Sequence, residues 1–347
     1  HHPPRSKKMK ILHLCRYYTP HIGGVETHVA KVSQQLRKKN HDIQVITQSH
    51  NQDLAESEVL DGILAHRLPF SAEDRKFPTW KWFWNNRELL FHADIIHIHD
   101  VFWWVIPLLP LLWYRQKKLY MTFHGYEGNE NPRLFAKFWH WAAYKLTLGN
   151  ICVGGFHTKW YGVTPTYITY GAVNAPKIKA LPHKKNTLIA FVGRLEVDNG
   201  IMQYLKAFRH LAGQHTLHLD IFGDGSLRKK GENYAKKHDL PVTFHGFVPD
   251  VSEKIGRYEV VFASRYLSIL EGLANECRVI AQHTNELQYD YLHHTPFASW
   301  ICICASAEEI AGCLTQRAKV SSKAAEWACS QTWESMAKTY QTLWTLP

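Results

Sequence analysis

A carboxylate, a guanidinium and an imidazole stand where this chain can most readily do chemistry. Glu271 closes the stretch Val261-Phe-Ala-Ser-Arg-Tyr-Leu-Ser-Ile-Leu-Glu271. That pattern predicts a short strand, a turn around Ser264 to Ser268 and a helix beginning near Ser268 or Ile269. A second short strand, Arg278 to Ala281, follows. A helix that begins just beyond a strand aims unpaired backbone N–H groups and its positive dipole end at the crevice above the sheet, where a phosphate can be held. Glu271 then falls in the first helical turn. Its carboxylate can accept hydrogen bonds from a ribose diol, or it can simply complement the helix dipole. Arg194 follows the apolar run Thr187 to Val192 in Gly193-Arg-Leu195. A guanidinium at such a strand end can grip a diphosphate bidentately or enter a surface ion pair. His124 ends the run Lys118-Leu-Tyr-Met-Thr-Phe-His. It can donate to a sugar hydroxyl or a developing charge, or serve as a satisfied structural histidine.

The elements that must position these groups alternate. In the first half, strands are expected at Lys10 to Cys15, Asp42 to Thr47, Ile63 to Leu68, Asp94 to Asp100, Lys118 to His124 and Asn150 to Gly154, with helical segments between them. This is an α/β half with a mostly parallel sheet. Ligands of such sheets sit beyond the carboxyl ends of the strands, where His99, Asp100, His124 and Gly125 fall. The loop Arg16 to Gly24 joins the first strand to a helix from Val25 to Lys39. Gly23-Gly24 lacks the Gly-x-Gly-x-x-Gly dinucleotide fingerprint, so it marks close approach of backbone to ligand or a need for positive φ. Thr169 to Asn186, with Gly171, two prolines and a lysine run, reads as a linker. Beyond it a second α/β run repeats the winding: helix Gly200 to Leu211, strand Thr216 to Phe222, the turn Gly223-Asp-Gly225, a helix to His238, and strand Val242 to His245 before Gly246-Phe-Val248.

A chain of 347 residues exceeds the size of a single core, so two domains are expected. With 45% hydrophobic and 20% charged residues and no apolar run long enough to span a bilayer, the protein reads as soluble or peripheral. His1 to Lys8 reads as a remnant tag or linker ahead of a start at Met9. Seven scattered cysteines suit a reducing cytoplasm, with thiols used as small core residues. The 23 histidines show no complete metal-ligand set, and no metal is expected. A net charge of +11 points to an acidic partner. Nucleic acid ranks last, because no recognised binding motif is present. Two aromatic clusters with flanking Lys and Arg, Phe77 to Trp84 and Phe102 to Trp104 leading to Trp113, suit a membrane interface or a packed helix face.

From Met9 to Leu346 the chain resembles the family 4 retaining glycosyltransferases, whose B-type fold has two facing Rossmann-like domains. The resemblance is carried by Gly23-Gly-Val-Glu-Thr-His28, Ile96-His-Ile-His99, Thr122-Phe-His-Gly125, Phe191-Val-Gly-Arg-Leu195, Phe222-Gly-Asp-Gly-Ser-Leu227, Phe244-His-Gly-Phe-Val248 and Ile269-Leu-Glu-Gly-Leu-Ala274, in that order. Trp333-Glu334 matches a final helix that in relatives crosses back to the first domain. The resemblance implies an acceptor-binding domain over 9–170, a linker over 171–186, a nucleotide-sugar-binding domain over 187–328, and a returning helix over 329–347. It implies that Glu271 holds the donor ribose, and that Arg194 and the backbone of Leu267, Ser268, Ile269 and Leu270 bind the diphosphate, with Asn199 and Gly223 beside them. Gly23 and Gly24 would line the same cleft, His124 would face the transferred sugar, and Phe247 and Val248 would meet the base. Two positions depart from the family pattern. Ala263 stands where the first Glu of Glu-x7-Glu is usual, and Asn199 stands where a lysine usually contributes to the diphosphate clamp. The implied activity is metal-independent transfer of a sugar from a nucleotide diphosphate to a lipid-linked or envelope glycan, in the cytoplasm and peripherally at the inner membrane face, with no nucleic acid and no obligate protein partner. The alternatives are a degenerate binder of nucleotide sugar or glycan and a nucleotide-sugar epimerase of the same fold.

Overall fold

The computed structural model describes residues 8–51, 53–73, 75–126, 131–174, 187–211, 217–249, 251–316 and 320–346, so most of the expected linker lies outside the described residues. The chain forms two compact units. The first holds the chain up to Tyr126, Pro132–Thr169 and everything from Trp333 onward; the second holds Tyr170–Thr332.

In the first unit the elements run β1 (Lys10–Cys15), α1 (Gly24–Lys38), β2 (Asp42–Gln48), β3 (Ser57–Leu60), β4 (Ile63–Leu68), α2 (Lys76–Asn85), α3 (Arg87–His92) and β5 (Ile95–His99). They continue with α4 (Leu109–Tyr114), β6 (Lys118–Phe123), α5 (Leu134–Leu146), β7 (Asn150–Val153), α6 (Phe156–Tyr161) and β8 (Tyr167–Thr169). The sheet order is β3-β4-β2-β1-β5-β6-β7-β8, parallel except where β3 pairs with β4. Strands buried on both faces read as unbroken apolar runs, as in Ile11-Leu-His-Leu-Cys15 and Ile95-Ile-His-Ile-His99, every residue of which is buried. The winding reverses between β1 and β5.

The second unit contains β9 (Thr187–Val192), α7 (Ile201–Leu211), β10 (Leu217–Phe222), α8 (Arg228–Lys237), β11 (Val242–Gly246), α9 (Ser252–Ile255), β12 (Val260–Phe262) and α10 (Tyr266–Ala274). It ends with β13 (Arg278–Gln282), α11 (Glu286–His293), β14 (Cys302–Cys304), α12 (Ala307–Thr315) and α13 (Ser322–Ser330). Its sheet is all parallel in the order β11-β10-β9-β12-β13-β14, the doubly wound arrangement, with the reversal between β9 and β12.

The last helix, α14 (Trp333–Thr345), belongs to the first unit and packs on α1. Trp333, Met336, Ala337, Tyr340, Leu343 and Trp344 are its buried stripe, and each large side chain contributes roughly 2 kcal/mol of apolar burial. It starts at Trp333 rather than at 329, because Ser322–Ser330 forms a separate helix of the second unit.

The aromatic clusters divide. Phe83, Phe102 and Trp104 are core residues and Trp103 is half-buried, while Phe77, Trp84, Trp113 and Tyr114 are exposed. All seven cysteines are free, and Cys15, Cys152, Cys277 and Cys304 are buried. No helix among the described residues is long and apolar enough to cross a membrane.

Candidate functional site

In the second unit the reversal between β9 and β12 opens a crevice at the carboxyl ends of these adjacent strands, where doubly wound sheets place their ligands. Arg194 follows β9 and Arg265 caps α10 after β12. Both guanidinium groups reach one carboxylate: Arg194 Nη2 lies 3.3 Å from Asp198 Oδ2, and Arg265 Nη2 donates to the same oxygen. Arg265 Nε also donates to Asn199 Oδ1 at 3.0 Å, and Asn199 Nδ2 donates to the Arg194 carbonyl at 2.9 Å. Loop 194–199 is thereby knitted to the start of α10. Gly200, left-handed at φ 73°, closes the short helical turn that presents Asp198 and Asn199.

The helix begins two residues earlier than expected, at Tyr266, because Arg265 already has the extended conformation of a cap. Glu271 therefore lies in the second turn, not the first, and the dipole-complement reading loses its basis. The amide N–H groups of Leu267 and Ser268 have no intrahelical acceptor, whereas Ile269 N–H is spent on the Arg265 carbonyl at 3.0 Å and Leu270 N–H on the next carbonyl of the helix. Of the backbone expected to meet a diphosphate, only the first pair is open to do so.

Glu271 is partly buried, and its carboxylate has no hydrogen-bond or ion-pair partner among the described residues. Burial pushes its carboxyl up to about 7. A desolvated acceptor with nothing to accept from is costly unless a ligand supplies donors. Ala263 is fully buried, and the polar group beside it is Ser264, bonded to Tyr204 OH at 2.8 Å and to the Gln282 N–H at 3.1 Å.

The remaining loops of this crevice are built by close backbone approach. Gly223, at φ 149°, packs on Gly193 so closely that a Cβ would overlap the Gly193 carbonyl, and its N–H donates to the Gly246 carbonyl at 2.8 Å. Phe247 is exposed and Val248 half-buried just beyond β11. Of the other cations of this unit, Arg228 is held between Asp224 and Glu232, and Lys206 lines a separate cavity of about 420 Å³ with Arg209, His210 and Glu308. Arg265, by contrast, joins the Arg194 network.

In the first unit Gly23 has φ −176°, so positive φ is not what it is for. A Cβ there would overlap the carboxylate of Glu26, which sits in the first turn of α1 with His21 Nδ1 at 2.8 Å. Gly24 is the first residue of α1.

His124 lies just past β6, with its backbone N–H donating to Asp100 Oδ1 at 3.1 Å. Its imidazole is the visible end of a histidine cluster. His124 Nε2 is 2.8 Å from His99 Nδ1, and His99 Nε2 is 2.9 Å from His13 Nδ1. Nearby, Trp344 Nε1 donates to His97 Nδ1 at 3.0 Å, His97 Nε2 meets Thr122 Oγ1 at 2.7 Å, Thr122 Oγ1 meets Tyr340 OH at 2.9 Å, and Tyr340 OH meets His28 Nε2 at 2.9 Å. Burial pushes His13 and His28 down to about 3 and holds His97, His99 and His124 well below the usual histidine range, so all five rings are neutral.

Neutral rings fix the proton positions. Trp344 only donates, so His97 carries its proton on Nε2 and gives it to Thr122. In the other row His13 Nε2 is buried without a partner. An orphaned lone pair is less costly than an orphaned N–H, so that row runs from His13 Nδ1–H to His99 and from His99 Nδ1–H to His124. His124 is left with Nδ1–H to offer. Reading the sequence missed His13, His28, Tyr340 and Trp344. The available signals were histidines at i, i+2 on an otherwise apolar strand and polar-tipped aromatics at i, i+4 on the last helix.

Among the described residues no cluster of three or more His, Cys, Asp or Glu could hold a metal ion. Residues 22–170 match the family model described as Glycosyltransferase Family 4, and residues 174–316 match the model described as Glycosyl transferases group 1. The phosphatidylinositol N-acetylglucosaminyltransferase GPI3 subunit of Saccharomyces cerevisiae is 29% identical over 93 residues, 26% of this chain, and the match spans only 21% of that protein's length. Sucrose-phosphate synthase from Thermosynechococcus elongatus has a similar fold at TM-score 0.75 and 15% identity, covering 97% of this chain and 98% of its own. Anabaena HepE, solved in complex with UDP and glucose, is similar at TM-score 0.71 and 15% identity, covering 97% and 100%. The chain belongs to the family 4 glycosyltransferases and has their B-type fold of two Rossmann-like α/β domains.

Proposed function

We propose that this glycosyltransferase is a retaining enzyme that moves a hexosyl group from a nucleotide-diphosphate sugar to a lipid-linked or cell-envelope glycan, acting from the cytoplasm at the inner membrane face. The observation that carries the reading is the partnerless, desolvated carboxylate of Glu271 on the helix whose cap, Arg265, shares Asp198 with Arg194. A nucleotide sugar supplies what these groups lack: a ribose diol for Glu271 and two phosphates for the cations and the open N–H groups of Leu267 and Ser268. HepE binds UDP and glucose, which favours a donor of this class, and the yeast relative's acceptor is a phosphatidylinositol, which favours a lipid-linked one.

On this reading the bond from the anomeric carbon to the diphosphate breaks while the acceptor oxygen bonds to the same face of that carbon. The leaving phosphate takes the acceptor's proton. Charge develops on the diphosphate, and Arg194, Arg265 and the α10 N-terminus stabilise it without a metal or other cofactor. In the first unit His124 has a neutral Nδ1–H to offer; in the second, Gly223, Phe247 and Val248 shape the nucleotide side. Asn199 acts by holding Arg265 rather than by touching ligand.

One observation favours a second reading, binding without turnover: the buried methyl of Ala263 at the position where relatives carry a sugar-binding acid. Release of nucleoside diphosphate from UDP-, GDP- and ADP-sugars, with and without membrane extract, separates the readings. Acceptor-dependent release supports transfer. Tight binding with no release supports the second reading, and release of free product without acceptor supports an epimerase.

A further inference from the structure

The outward face of α5 is apolar. Leu134, Phe138 and Trp141 follow at i, i+4 and i+7, one helical stripe, and with Phe135 they are 85%, 53%, 48% and 61% exposed. Inward the helix presents Ala142 and Ala143. The stripe a surface helix normally buries is here turned to solvent. Leu148 prolongs it, and Lys76 Nζ lies 5.5 Å above the Phe135 ring, joining the start of α2, where Phe77 is exposed. Among its described residues the second unit exposes only Val197, Phe247 and Tyr289 of this size and type. The charge is as one-sided as the polarity. Between Glu130 and Glu196 the chain contains no Asp or Glu, while Arg133, Lys137, Lys145 and Lys159 lie within that span.

We propose that this face of the first unit docks on an anionic bilayer, with α5 in the headgroup layer, Leu134, Phe138 and Trp141 toward the acyl chains, and Lys76, Lys137 and Lys145 on lipid phosphates. The proposal rests on the reading of a membrane-borne acceptor and names the surface that would bring the enzyme to it. A protein partner fits less well, since protein interfaces are depleted in lysine, and Lys76, Lys137 and Lys145 accompany Arg133 along this stripe. The complement of a helix face of aromatics and lysines, on a stretch of chain without Asp or Glu, is a sheet of negative charge over hydrocarbon.

The test is co-sedimentation of the full chain with phosphatidylcholine vesicles with and without phosphatidylglycerol. Binding is expected only to the anionic vesicles, weakened by salt, with a blue shift of tryptophan emission that is lost with Trp141→Ser. Phe138→Ser with Trp141→Ser, and separately Lys137→Glu with Lys145→Glu, are expected to reduce binding at least about tenfold while leaving far-UV circular dichroism and nucleotide binding unchanged. Failure of the wild-type chain to bind anionic vesicles, equal binding by both variants, or a concentration-dependent dimer broken by the serine pair in place of vesicle binding overturns the proposal. Nucleoside diphosphate release with detergent-dispersed membrane extract is followed in parallel. Release without vesicle binding removes the docking proposal alone, and vesicle binding without release removes the transferase reading alone.

Discussion

Arg265 donates through Nε to Asn199 Oδ1 at 3.0 Å, so Asn199 is the seat of an arginine from the neighbouring strand's loop. On the proposed reading this arginine supplies the second cation of the diphosphate clamp. Arg265→Ala is expected to lower kcat by about thirty- to a thousandfold, the ~2–4 kcal/mol of one preorganised charge contact in a transition state. Asn199→Lys in that background is expected to recover at least about tenfold of it. Steady-state kinetics of nucleoside diphosphate release checks both; full activity in Arg265→Ala would show that the clamp needs no second cation.

The tautomers of the histidine cluster follow from a single donor-only group, Trp344, and a single orphaned atom, His13 Nε2. His124 is expected to carry its proton on Nδ1 and His97 and His99 theirs on Nε2 and Nδ1 respectively, assignments that nitrogen-15 chemical shifts read directly. None of these rings is expected to gain a proton near neutral pH, because burial holds all three well below the usual range. His99→Phe removes the bond that orients His124. It is expected to cost about 1–3 kcal/mol of stability and to release His124 to a mixture of tautomers.

Glu271 makes stability depend on pH with an unusual sign. Its carboxyl titrates near the ordinary 4.5 when unfolded and near about 7 when folded. Between those values the folded chain holds the extra proton, so stability falls as pH rises, and a penalty on the order of 3 kcal/mol is fully present above pH 7. Glu271→Gln is therefore expected to match the wild type near pH 4.5 and to exceed it at pH 8 in thermal melts. Donor affinity should move the other way, rising from pH 6 to 8, because the ionised carboxylate is the stronger acceptor for ribose hydroxyls.

Gly223→Ala places a Cβ against the Gly193 carbonyl at a φ of 149° that side chains rarely adopt. A loss of at least about 2 kcal/mol is expected, with weaker donor binding, because the displaced strand ends carry Arg194 and Phe247. A melt unchanged from the wild type would show that the close approach at Gly193 is not needed.

Much of this was legible in the sequence, for reasons that differ by element. The parallel strands were readable because burial on both faces makes them continuous apolar runs, as in β1 and β5. β3 escaped because it is a four-residue antiparallel edge with alternating exposure. The start of α10 was placed too late because Tyr266 and Leu267 continue the apolar run, and only the extended cap at Arg265 marks the boundary. Phe102–Trp104 looked interfacial because a tryptophan's type says nothing of which way it faces. The histidine cluster was invisible because its members lie on β1, α1, β5 and α14 and at the end of β6, and only the sheet order and the returning last helix bring them together.

On the proposed reading the second unit holds a nucleotide diphosphate through Arg194 and the helix bearing Glu271. Calorimetric titration of the full chain with UDP, GDP and ADP tests it most directly. At least one is expected to bind, at least about tenfold more weakly to Arg194→Ala and to Glu271→Ala, with both variants folded as the wild type. Undiminished affinity in both would contradict it.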